Sequence, residues 1–132
     1  MPVQMLEHYT IRCADLEATR DFYSAVLGLA VGPRPNFPFR GYWLYGGGVP
    51  IVHLVDRSES EARGGGKTGA QTSPLDHIAF RSADFEAMRA LLQARGISFR
   101  ESGAADFRIR QIFLRDPEGI LVELNFRQAA PA

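Results

Sequence analysis

The chain repeats one plan of elements, and that repetition limits the folds open to it. A short β-like segment ends in LEHYTIRC, and Asp15 stands where a helix N-cap belongs. LEATRDFYSAVLG then places Leu16, Phe22, Tyr23, Val26 and Leu27 on one helical face, with Gly28 as a natural stop. Three strands are predicted next, in LAVGPRP, FRGYWLY and VPIVHLVD, the last two joined by Gly46-Gly47-Gly48. The second half has the same order: strand LDHIAFRS, helix SADFEAMRALLQARG with Phe85, Met88 and Leu92 inward and Gly96 as stop, then strands in ISFRE, FRIRQIFL and ILVELNF. The expected fold is therefore α+β, one domain built from two tandem βαβββ modules over residues 5–56 and 75–127. Residues 57–74 between them are polar and glycine-rich, and are expected to form a flexible connection.

Residue separations carry the comparison into the strands. His8 to Gly28 spans 20 residues and His77 to Gly96 spans 19; His8 to His53 spans 45 and His77 to Glu123 spans 46. A period near 69 residues in two copies is a duplicated module, not a solenoid. The chain has three histidines, and all three fall in predicted strands at positions equivalent to one another or to Glu123. In ILVELNF, alternation puts Ile120, Val122, Leu124 and Phe126 on one face and Leu121, Glu123 and Asn125 on the other. A carboxylate in mid-strand needs a cation, a donor or water. A solvated outer face is the ordinary alternative. If the modules are related by a twofold, His8, His53, His77 and Glu123 meet at one point. Three imidazoles and a carboxylate suit one divalent transition metal: zinc, nickel, cobalt, iron or manganese.

Composition narrows the partners. Fifteen basic residues balance fifteen acidic ones, which gives no electrostatic footprint for nucleic acid or an anionic membrane and leaves a small-molecule substrate as the expected ligand. A single cysteine, Cys13, excludes an intrachain disulfide and fits a reducing compartment; its default reading is a small buried hydrophobe. No apolar run approaches membrane-spanning length and no basic-then-apolar leader opens the chain, so a cytoplasmic location is expected.

The pattern FYSAVLGL after a helix start, LDHIAF, and DPEGILVEL together resemble the vicinal oxygen chelate superfamily, which includes glyoxalase, extradiol dioxygenases and the bleomycin and fosfomycin resistance proteins. The resemblance covers nearly the whole chain. It implies paired βαβββ modules whose curved sheet wraps a metal, with His8, His77 and Glu123 in the usual ligand positions. His53 falls where lyase and isomerase members usually carry Glu or Gln. With a dication, three neutral imidazoles and one carboxylate leave a formal charge of +1, which favours a substrate that chelates through adjacent oxygens and becomes an enediolate- or catecholate-like anion. Glu123 and His53 are the candidate catalytic residues, His53 as ligand or as proton shuttle. The resemblance also implies a homodimer. Three alternatives stay open: an iron(II) extradiol dioxygenase, a metal-free drug-binding protein of the bleomycin-binding type, and a thiol transferase acting on an antibiotic.

Four further residues are substrate-binding candidates. Arg12 and Arg81 follow His8 and His77 by four residues, on the same strand faces, and are placed either to hold a substrate carboxylate or to emerge into water. Arg110, with Arg108, is a second anion-binding candidate. Trp43 belongs to an aromatic group with Phe37, Phe39, Tyr42 and Tyr45, divided between core packing and a wall for a ring-shaped substrate.

Overall fold

The computed structural model describes residues 4–65, 75, 77–104 and 108–127, and divides the chain into two units, residues 1–73 and 74–132. In the first unit, β1 (Tyr9–Cys13), β2 (Ala30–Gly32), β3 (Gly41–Gly46) and β4 (Val49–Asp56) form a sheet of order β1-β4-β3-β2. In the second, β5 (Ile78–Ser82), β6 (Arg100–Ala104), β7 (Ile109–Arg115) and β8 (Leu121–Arg127) form a sheet of order β5-β8-β7-β6. The first and last strands of each unit run parallel and the others antiparallel. A parallel pair needs a crossover, and a helix between the first two strands supplies it.

That helix is α1 (Leu16–Asp21) in the first unit, capped by the Asp15 carboxylate on the Ala18 N–H at 3.0 Å. It runs on as a wider π-helical turn, Phe22–Val26, in which the Leu27 N–H reaches back to the Phe22 carbonyl. Leu16, Thr19, Phe22, Tyr23 and Val26 are buried against Ile11, Cys13, Leu44, Val52 and Leu54; Leu27 is only half-buried. Cys13 is thus the small buried hydrophobe expected of it. In the second unit α3 (Phe85–Ala94) buries Phe85 and Leu92 against Ile112, Leu114, Val122, Leu124 and Phe126, with Phe85 edge-on to Phe126 and Met88 half-buried. Each sheet therefore spends one face on its helix. Its other face is free to carry polar side chains.

Two turns set the registers that matter. Gly47 and Gly48, at φ +60° and +81°, close β3 onto β4 in a two-residue hairpin turn that only residues tolerant of positive φ adopt cheaply. In DPEG, the buried Asp116 carboxylate accepts the N–H groups of Glu118 and Ile120, both at 2.9 Å, and Gly119 takes φ +86°. That turn launches β8 in register with β7.

Several expectations shift. His8 and His77 stand one residue before β1 and β5, because strand pairing begins at Tyr9 with Val52 and at Ile78 with Val122. The connecting tract is helical in its first part: the Asp56 side chain accepts the Glu59 N–H and starts α2 (Arg57–Ser60), followed by a π-helical turn over Glu61–Gly65. The remainder, 66–74, lies outside the described residues. No helix among the described residues is long and apolar enough to cross a membrane.

Candidate metal centre

Each unit brings its expected pair of donors to the helix-free face of its sheet. In the first, Thr10 pairs with His53 and His53 pairs with Trp43, so both share the face on which His8 leads into β1. The three rings form a stack: His8 on His53 at 3.8 Å between centroids and 12° between planes, His53 on Trp43 at 4.1 Å and 13°. The Pro50 carbonyl can only accept, so His53 donates to it from Nε2 at 2.9 Å and carries its lone pair on Nδ1. His8 donates from Nδ1 to Glu7 Oε1 at 3.0 Å, so Nε2 is the nitrogen that this bond does not engage. Burial first, and then the neighbouring His8, lower the His53 pKa below its ordinary value against the raising effect of the Pro50 bond. A neutral imidazole is the form that binds a metal.

The second unit repeats the register. Ala79, two residues after His77, pairs with Glu123 as Thr10 pairs with His53, and Phe113 stands opposite Glu123 where Trp43 stands opposite His53. Glu123, largely buried, meets two partners: His77 Nε2 lies 3.4 Å from Oε1, and Asn125 Nδ2 donates to Oε2 at 2.7 Å. Asn125 Oδ1 in turn accepts from Gln111 Nε2 at 3.0 Å. The amide chain fixes the carboxylate with one oxygen aimed at the imidazole.

The other expected residues divide. Arg81 pairs with Asn125 and so shares the face of Glu123, while Arg12 pairs with Val55, one alternation beyond His53. Arg110 does not join them. It pairs with the buried Phe126, lies 3.5 Å over the Phe85 ring, and is ion-paired to Glu86 at 3.1 Å and Glu101 at 3.7 Å on the helix side of the sheet. Arg108, at φ +53°, precedes β7. Trp43 is brought to the site by its stack on His53; Phe37 and Phe39 stack on each other near Arg34, and Tyr42 bonds Glu17 and Arg20. Gln111 and Phe113 were missed from the sequence, although their parity in β7, opposite to that of the buried Ile112 and Leu114, was available to find them.

Among the described residues no group of three or more His, Cys, Asp or Glu forms a ready metal cage; the donors come as one pair in each unit. The donor chemistry fits a divalent transition ion: imidazoles, of which His53 is held in one tautomer by the Pro50 carbonyl, and a carboxylate oriented by an amide.

This fold with these paired donors defines a class. The chain belongs to the Glyoxalase/Bleomycin resistance protein/Dioxygenase superfamily, whose model matches residues 5–124. It is 29% identical over 122 residues to a protein named Glyoxylase I 4 from Arabidopsis thaliana, which covers 90% of this chain and 68% of that one. Two solved structures show the fold: a lactoylglutathione lyase from Agrobacterium tumefaciens, 20% identical with a TM-score of 0.68 over 96% of both chains, and an antibiotic binding protein from Streptomyces, 23% identical with a TM-score of 0.69 over 97% of this chain and 99% of that one.

Proposed function

We propose that the protein is a divalent-metal-dependent enzyme of the vicinal oxygen chelate type, in which His8, His53, His77 and Glu123 serve one ion. The observation that supports this most is the matched register: each unit offers one donor ahead of its first strand and one in its last, on the helix-free face, with an aromatic ring opposite. The ion, when bound, supplies Lewis-acid stabilisation of an anion formed on a substrate that binds through two adjacent oxygens. The chain's own groups do the rest. Asn125 holds the Glu123 carboxylate so that Oε1 is presented, and the bond to Pro50 keeps the His53 proton on Nε2 so that Nδ1 faces outward as base or ligand. Glu123 and His53 are the proposed proton carriers, and Arg81 and Arg12, on the same strand faces, the proposed groups for an anionic substrate end. A homodimer in the cytoplasm completes the reading.

Protein purified without chelator should carry stoichiometric zinc, nickel, cobalt, iron or manganese by elemental analysis, and His77→Ala should lose it. Absence of metal from the wild type would overturn the proposal in favour of a metal-free drug-binding protein. Oxygen uptake with catechols separates the iron(II) dioxygenase branch from the lyase or isomerase branch, which consumes none.

A further inference from the structure

The first unit holds a cleft of about 420 Å³ at the start of β3, lined by Arg34, Phe37, Phe39, Gly41, Tyr42 and the first turn of α1. That volume is in the range of small-molecule sites. Its charges are unequally satisfied. Glu17 is held by Arg20 and Tyr42, and Glu59 by the Arg40 backbone N–H and side chain, with Arg40 also on Asp56. Arg34 is different: among the described residues it meets no carboxylate, and residues 1–3 and 66–73 of the unit contain no Asp or Glu.

The geometry of its guanidinium is specific. Nη1 donates to the Phe39 carbonyl at 3.2 Å, while Nε is buried with no hydrogen-bond partner. Nε and Nη2 form the side-on edge of the guanidinium, two parallel donors matched to the two oxygens of a carboxylate. The backbone packs closely beside that edge: a Cβ on Gly41 would lie 3.3 Å from Nη2 and 2.3 Å from the Leu54 carbonyl oxygen, so only glycine fits there. Two aromatic rings flank the guanidinium: Phe37 and Phe39 stack at 5.0 Å and 10°, with its carbon 5.1 and 5.3 Å from their centroids. Phe37 is 39% exposed, an apolar face unusual for a large side chain and suited to a second flat ring.

We propose that this cleft is a binding subsite for a small planar aryl carboxylate, which seats its carboxylate on the Arg34 guanidinium and stacks its ring on Phe37. Its ligand neutralises a guanidinium that meets no carboxylate among the described residues. The subsite goes beyond the proposed metal chemistry and does not depend on it.

Calorimetric titration of the full chain with 1-naphthoate, in excess chelator so that metal plays no part, tests this. Saturable 1:1 binding is expected, weakened at least tenfold in Arg34→Gln and in Phe37→Ala, and weakened in Arg34→Lys, which keeps the charge but not the fork. The neutral 1-naphthalenemethanol should bind at least tenfold more weakly than the acid, and cyclohexanecarboxylate more weakly than 1-naphthoate. The metal content of Arg34→Gln should match the wild type, which separates failure here from failure of the metal proposal. No binding of 1-naphthoate, equal binding of the alcohol, or unchanged affinity in the folded Arg34→Gln and Phe37→Ala proteins would each overturn the assignment.

Discussion

Glu123 meets the cost of a mid-strand carboxylate with two partners, one for each oxygen. Asn125 is the partner that orients it. Asn125→Ala should therefore weaken metal binding by about 10–100-fold, as loss of an outer hydrogen bond to a ligand does. Competition against a chromophoric chelator measures this, with an unchanged far-UV spectrum to show that β8 still forms. Asp56 offers a second test. The Ser58 hydroxyl, then the Glu59 N–H, and further down the Arg40 charge hold its carboxyl below the ordinary value against the effect of burial. A depressed folded pKa stabilises above the unfolded carboxylate value near about 4, and that contribution disappears as pH falls through the lower folded value. The denaturation midpoints of wild type and Asp56→Asn should thus differ at pH 7 and converge under acid. At this scale the sequence disclosed which side chains stand at equivalent register positions, because only three histidines exist and each has a counterpart. It did not disclose Asn125 as the group that holds Glu123, since a hydrogen bond between neighbours on one face depends on rotamers and not on spacing.

Among the elements, β8 was the most legible. Val122, Leu124 and Phe126 are buried and Glu123 is on the other face, as period-two alternation requires. The same parity places Arg110 with Ile112 and Leu114 on the helix side, which explains why it joins Glu86 and Phe85 and not the donors. The helix end was less legible. Its periodicity suits an ordinary α-helix, but the chain widens into a π-helical turn at Phe22–Val26, and the pattern does not encode that hydrogen-bond shift. The DPEG turn rests on backbone chemistry: Asp116→Ala strips two backbone N–H groups of their acceptor and should lower stability by about 1–3 kcal/mol in urea. Gly119→Ala, forced to hold φ +86°, should cost about 1 kcal/mol by the same measurement. Leu54→Ala, at a position with no exposed surface, should cost about 2–5 kcal/mol.

On the scale of the whole molecule, duplication is the organising fact. Counting from each histidine gave separations that differ by a single residue, and the pairing of Thr10 with His53 and of Ala79 with Glu123 is the structural form of that count. A repeat is legible because it compares the chain with itself and needs no propensity scale. The boundaries were less so: His8 and His77 lead into their strands because pairing, not residue preference, decides where a strand begins. The claim that both units serve one ion is tested most directly by cobalt(II) titration of the chelator-stripped protein, followed by visible absorption, with His53→Ala and Glu123→Gln compared to wild type. One cobalt per chain is predicted, with the absorption band lost or displaced in both variants, one from each unit. A band that survives unchanged in either folded variant, or no stoichiometric uptake at all, would contradict it.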